Sequence, residues 1–317
     1  TQVTLTATPD ATSRFDGWGG DCSGQNPQTT ITMDASKTCT ATFTLESLQL
    51  SGRAVYDDNS PVAGANVTIR TEDGSSQKTT TTDSNGNYSA GLPDAGNQRV
   101  LARVDVPGTP PVSGFKWSNI SLSTGSYQFD DIVLPNPQGA QLTGGGGNFE
   151  NSDRSIQLSG APVNVANVWA RSYDPDQQPN AFPGEFSEGQ NTPLNSTVFV
   201  WIAGADAQGN PIGNFDPPAT LTVKIPPSQW QDLEDLEPNM SNGIQIPIYS
   251  FNYTTGYWER QANNGILTDI DGNIIPESEN DNIRNGIYGS DVYARFSVNH
   301  LSWWNVDYPG PCGKDFG

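Results

Sequence analysis

A single histidine, His300, stands among 317 residues, two positions before a hydroxyl in the phrase His300-Leu301-Ser302. Imidazole, with an ordinary pKa of about 6.5, is the side chain best suited to accept a hydroxyl proton near neutral pH. The same phrase also reads as plain strand, with alternation placing Val298, His300 and Ser302 on one face. One histidine limits any Ser-His-Asp triad to that candidate and leaves almost no material for a His-based zinc or iron centre.

The other constellations are oxygen-rich or aromatic. Asp269-Ile270-Asp271-Gly272-Asn273 is followed by Glu277, Glu279 and Asp281, and hard oxygen ligands of this kind suit calcium, with Asp269, Asp271, Asn273 and Glu277 as the ligand set. The spacing departs from an EF-hand loop because Ile274 occupies the position that requires glycine, and Asp271-Gly272 between apolar-alternating runs also reads as a hairpin turn. Asp174 and Asp176, with Glu185 and Glu188, form a second oxygen cluster. Trp169, Trp201, Trp258, Trp303 and Trp304 could stack on sugar rings if exposed, although tryptophan at alternating strand positions fills cores. With 35 acids some pair meets any spacing rule, so acid count alone does not point to paired-carboxylate hydrolysis. The run Gly144 to Gly147 is followed by neither Lys-Ser/Thr nor a helical pattern, as a phosphate cradle requires; it has the composition of a hinge at a domain boundary and reads equally as a glycine loop inside the last unit.

The elements that must position these groups are strands. Gly 33 and Pro 24, with charged residues at only 16%, describe many short strands joined by turns, an all-β chain. One short helix is expected at Ser228-Gln229-Trp230-Gln231-Asp232-Leu233 after Pro226-Pro227, with Ser228 as its N-cap. The net charge of -20 opposes binding to nucleic acid and to anionic membranes. No run of roughly 18 apolar residues predicts a membrane helix, and the start at Thr1 lacks the features of a signal peptide, so the chain reads as a piece of a longer protein.

Three units are expected, at residues 1–46, 47–137 and 138–317. The first carries Leu5-Thr6-Ala7-Thr8-Pro9, Phe15-Asp16-Gly17-Trp18, Gly20-Asp21-Cys22-Ser23-Gly24 and Ala41-Thr42-Phe43, and through these it resembles the divergent internalin-type B repeat of bacterial surface proteins. A module this small needs a staple, so Cys22 and Cys39 are expected as a disulfide; two thiols without a nearby histidine are a poor metal site. The second carries Gly52-Arg53-Ala54-Val55, Pro61-Val62-Ala63-Gly64-Ala65-Asn66-Val67 and Thr82-Asp83-Ser84-Asn85-Gly86-Asn87-Tyr88, and resembles the carboxypeptidase regulatory-like, prealbumin-like domain, an antiparallel sandwich. Its first strand, Leu48 to Tyr56, has no lysine for an isopeptide crosslink.

The third unit carries Pro183-Gly184-Glu185-Phe186, Leu221-Thr222-Val223-Lys224-Ile225-Pro226, Ile246-Pro247-Ile248-Tyr249-Ser250-Phe251 and Val298-Asn299-His300-Leu301-Ser302-Trp303-Trp304-Asn305. It resembles a C-terminal β module of extracellular bacterial proteins and of cartilage intermediate layer protein. Residues 1–140 hold 14 acids and 8 bases while residues 141–317 hold 21 and 7, which makes this unit the place for any cation site. His300-Leu301-Ser302 also resembles the junction at which adhesion-receptor domains cut their own backbone between Leu and Ser or Thr, with the preceding His as base; the bulky Trp303 and Trp304 depart from that family's small residues. Cys312 is an odd thiol after the last strand, expected to pair with a downstream segment or another chain.

The resemblances imply a non-enzymatic extracellular segment of a bacterial surface or secreted protein, serving as stalk, adhesion or assembly unit. The alternatives are a carbohydrate- or calcium-dependent module attached to an enzyme and an autoproteolytic domain. Expected partners are other domains or copies of the parent protein and a polysaccharide or cell-surface ligand.

Overall fold

The computed structural model describes residues 1–9, 13–45, 48–93, 98–121, 125–184, 187–188, 192–233 and 243–309. More than half of the chain is strand, 53% against 6% helix, and the fold is all-β. No helix among the described residues is long and apolar enough to cross a membrane.

The N-terminal segment forms two separate ribbons, Gln2–Thr6 with Gln28–Thr32 and Ser13–Gly20 with Cys39–Leu45. Its side chains bury little: among the described residues Ala7 and Cys22 are the buried apolar ones, and Phe15 meets Trp18 and Phe43 edge-on in a half-open cluster. The disulfide Cys22–Cys39 forms as expected, with Cα atoms 5.1 Å apart.

The next sandwich has two sheets. Leu48–Tyr56 alternates inward and outward residues and is central to one, with Asn87–Leu92 antiparallel on one side and Ser126–Gln128 and Ile132–Leu134 parallel on the other. The second sheet runs Val112–Ile120, Gln98–Val106, Asn66–Thr71, Gln77–Thr81. Gly52 lies opposite Tyr88, and a Cβ there would lie 2.3 Å from the phenol oxygen, so the tyrosine ring lies over the glycine and fills its missing side chain.

Beyond residue 140 two seven-stranded sheets face each other. One is ordered Thr143–Gly145, Asn148–Glu150, Ile156–Ser159, Asn214–Lys224, Tyr293–His300, Gly265–Thr268, Gln245–Ile246. The other is built on the long strand Thr192–Ala205, which pairs with both Asn167–Tyr173 and Trp303–Pro309. Along that strand Val198, Val200 and Ile202 enter the core between the two large sheets, while Phe199 and Trp201 enter a different core shared with the sandwich. A strand buried on both faces must be continuously apolar, which is the reason for the run Val-Phe-Val-Trp-Ile-Ala. Trp303 and Trp304 divide the same way: adjacent in sequence, they fill opposite cores.

Several expectations are corrected by packing. Of the two readings of Gly144 to Gly147, the loop is the one formed and the open hinge is not: it is a tight hairpin in which Gly146 and Gly147 turn at φ 60° and 85°, and a Cβ on Gly147 would lie 2.5 Å from the Ala161 carbonyl. The helix after Pro226 is 3-10, Pro227–Asp232, and Ser228 does not cap it, because its hydroxyl donates to Asp174. The acids Glu277, Glu279 and Asp281 lie on the 3-10 helix Glu277–Glu279 and the α-helix Asn280–Arg284, held by fully buried Ile283. After the Asp269 turn, Ile274 makes only an isolated bridge to Thr268 and the chain forms no strand there. The final apolar run is two strands in different sheets, broken at Leu301-Ser302.

Candidate functional site

The break at Leu301-Ser302 is the crossing from one large sheet to the other. His300 ends its strand opposite Asn214, the Leu301 N–H donates to the Gly213 carbonyl at 2.7 Å, and the Ser302 carbonyl accepts from Ile202 at 3.0 Å. The His300 ring lies 4.7 Å from Trp304, and its Nδ1 lies 2.8 Å from Asn299 Oδ1. Burial holds the imidazole pKa below its ordinary value, with Glu259 opposing, so the ring is neutral at neutral pH. The buried Ser302 hydroxyl donates to the Phe251 carbonyl at 3.2 Å. The proton that a backbone-cleaving base would have to take is therefore committed to a backbone acceptor, and the single-strand alternative, with His300 and Ser302 on one face, gives way to a sheet-switching corner.

The calcium candidates fold into a turn that closes on itself. Asp269 Oδ1 accepts the N–H groups of Asp271 (3.0 Å) and Asn273 (2.8 Å), and Asp269 Oδ2 accepts the Asn273 amide at 2.8 Å. Gly272 takes φ 83°. Asp271 lies 3.6 Å from Arg154, and Glu277 is in the following 3-10 helix. The same lattice of bonds recurs at Asp83 with Asn85, Gly86 and Asn87, and at Asp206 with Gln208, Gly209 and Asn210. Bonds from the Asn side chain and turn N–H groups hold all three aspartates below the usual carboxylate range. Asp-x-x-Gly-Asn is thus a hairpin device of this chain. Among the described residues no group of three or more His, Cys, Asp or Glu is arranged to hold a metal.

Asp174 and Asp176 serve the short helix: Asp174 accepts from Ser228 Oγ (2.8 Å) and Gln229 Nε2 (3.1 Å), and Asp176 from Gln229 Nε2 (2.7 Å). Glu185 and Cys312 lie outside the described residues, as does the side chain of Glu188. Trp201, Trp258, Trp303 and Trp304 are at most 2% exposed, so these four rings fill cores and offer no sugar-stacking face, while the half-buried Trp169 packs against the core edge.

What the sequence did not signal is the seam between the sandwich and the C-terminal sheets. Trp117 stacks on Tyr257 at 5.6 Å, and its indole N–H donates to the Gly256 carbonyl at 3.0 Å. The Arg99 guanidinium covers both rings and bonds the Tyr257 hydroxyl and Glu72. Phe115 packs on Phe251 at 4.9 Å. At the other end the nearly buried Asp57 carboxylate accepts from the Tyr173 hydroxyl at 2.8 Å and pairs with Arg171 at 3.3 Å. Burial and the Asp57 charge push the Tyr173 phenol well above its ordinary pKa. Inside the C-terminal unit, Ser196 donates to Asn305 and Asn305 to Asp307, each at 2.5 Å, forming a fully enclosed polar chain.

Two family models match this chain: the divergent InlB B-repeat domain over residues 1–47 and the carboxypeptidase regulatory-like domain over residues 49–115. The second match stops inside the strand Val112–Ile120, short of Ser126–Gln128 and Ile132–Leu134, which complete the sandwich beside Leu48–Tyr56. No curated protein matches. Among solved structures, a 9R-lipoxygenase from Cyanothece PCC8801 aligns at 13% identity over 32% of this chain, with a TM-score of 0.23. That alignment spans 18% of the lipoxygenase, and a likeness so low carries no argument.

Proposed function

We propose that this chain is a non-catalytic structural segment of an extracellular bacterial surface or secreted protein, acting as a stalk, adhesion or assembly unit. It divides at residues 1–46, 47–137 and 138–317. Two matched modules of repeat and regulatory-like type support the reading, as does a disulfide, which persists in oxidising compartments. The observation that carries it is the strand Thr192–Ala205, buried on both faces, which joins the sandwich and the C-terminal sheets through one continuous core. Ordinary interfaces between domains of one chain are modest and polar and allow relative motion. An aromatic seam with a shared core transmits force and holds a fixed distance, as a stalk requires.

Limited proteolysis with mass spectrometry tests the mechanical reading. Residues from about 48 to 309 are expected to survive as one resistant piece after the N-terminal segment is lost. Early cutting between Leu134 and Ala140 into two separately stable pieces would refute a rigid joint. Antibody labelling of the segment on intact bacteria tests its location.

A further inference from the structure

Beside the Phe115–Tyr253 contact the seam opens into a cavity of about 370 Å³ between the outer face of the sandwich and the C-terminal unit. We propose that this cleft binds an uncharged saccharide ring.

On the sandwich side, strand alternation sets a polar patch beside Val106, Pro107, Pro111 and Val112. Ala102 and Val104 point into the sandwich core, so Arg103 and Asp105 of the same strand point out into the cleft, with Ser113 and Asn66 directly across from Asp105 on the neighbouring strands. Asp105 Oδ1 accepts from Ser113 Oγ at 2.5 Å and from Arg103 Nε at 2.8 Å. The guanidinium lies over Phe115 at 5.3 Å, which fixes its plane. Neither Arg103 Nη donates to a described residue, so the wall presents forked donors beside a carboxylate that still has acceptor capacity.

The facing wall is mainly apolar: Ala203, Gly204, Ile212, Leu301 and the ring of Tyr253. Gly204 keeps it smooth, since a Cβ there would lie 2.6 Å from Leu301 Cδ1. The Thr109 hydroxyl, donating to the Gly209 carbonyl at 3.0 Å, ties the sandwich loop to the Asp206 turn at the rim.

The chemistry of the walls selects the ligand. Arg103 and Asp105 neutralise each other, so the cleft offers an ion no net attraction. A wholly apolar ligand would strip water from both charged groups without replacing their hydrogen bonds. A pyranose carries donors and acceptors along its edge and C–H surface on its face, which matches a polar patch set among apolar surfaces. The volume falls within the ~300–1,000 Å³ typical of small-molecule sites.

The experiment is saturation-transfer NMR on the full chain with the methyl glycosides of glucose, galactose, mannose and N-acetylglucosamine, each alone at about 10 mM, a level at which millimolar binders register. At least one is expected to receive saturation, with amide shifts centred on Arg103, Ser113 and Ile212. Gly213 lines the cleft, has nothing within 4 Å of an added Cβ and lacks a left-handed φ, so Gly213→Phe is expected to fold and to abolish the signal. Asp105→Asn, which preserves shape, is expected to weaken binding about tenfold, and it serves if Gly213→Phe does not fold. Silence from all four glycosides overturns the proposal, as does binding that persists unchanged in the variants or a preference for methyl glucuronate over every neutral sugar. The stalk reading stands apart from this result, because proteolytic resistance of the seam does not depend on an occupied cleft.

Discussion

The N-terminal segment and the body from Leu48 to Pro309 reach order by different physics. The first has two thin ribbons, hardly any enclosed apolar surface and a covalent staple. The second encloses two apolar cores, and neither core cluster includes a described residue before Leu48. A segment of some 45 residues buries too small a fraction of its surface to stand on hydrophobic burial, whereas a body of more than 250 does so readily. The staple compensates by restricting the unfolded chain, and the aromatic seam makes such a staple unnecessary further on.

The largest test of this contrast lies in the seam core. Trp258→Ala removes a ring packed on Phe182 and Phe251 whose N–H bonds the Pro183 carbonyl, and is expected to cost about 3–5 kcal/mol. Denaturant unfolding should show the whole body weakened and the N-terminal signals unmoved. Cys22→Ser is expected to cost about 3 kcal/mol for a loop of this length, enough to unfold the N-terminal segment alone. NMR should then lose the dispersed signals of residues 1–45 while the melting midpoint of the body stays put; a falling midpoint would mean that the two regions share stability. Gly86→Ala is next, at about 2 kcal/mol, since φ 81° disfavours a side chain and its Cβ would meet the Ala54 carbonyl at 2.2 Å.

Smaller effects probe the C-terminal corner and turns. Because burial lowers the His300 pKa, the unfolded state binds the proton more readily, so stability is full above the unfolded value of about 6.5 and declines as pH falls toward the folded value. Wild type compared with His300→Gln by thermal melts across that window should differ in slope, and parallel curves would remove the histidine from the account. Calcium is expected to have the smallest effect. With Asp269 committed to its own turn, melts in calcium and in chelator should coincide, and a rise with calcium would restore the ligand set Asp269, Asp271, Asn273 and Glu277.

The strands were legible in the sequence wherever one face was apolar, as in Leu48–Tyr56, and the disulfide was legible from the size of its module. Other features were legible only as letters. Asp269-Ile270-Asp271-Gly272-Asn273 gives the same composition to a metal loop and to a self-bonded turn, and the difference lies in where two oxygens point. Trp303-Trp304 reads as an aromatic pair, yet the two rings occupy separate cores because a strand sends neighbours to opposite sides. His300-Leu301-Ser302 looked like uninterrupted strand because a corner between sheets leaves no trace in hydropathy.

By itself the sequence determined the all-β class, the acidic surface and the covalent staple, since these depend on composition, on period-two alternation and on two cysteines within reach. Only the tertiary structure decided which face of each strand is covered twice, where the seam runs and that Asp57 is held across it. Those outcomes rest on contacts between residues more than a hundred positions apart, such as Trp117 with Gly256 and Asp57 with Tyr173, and local pattern carries no record of them.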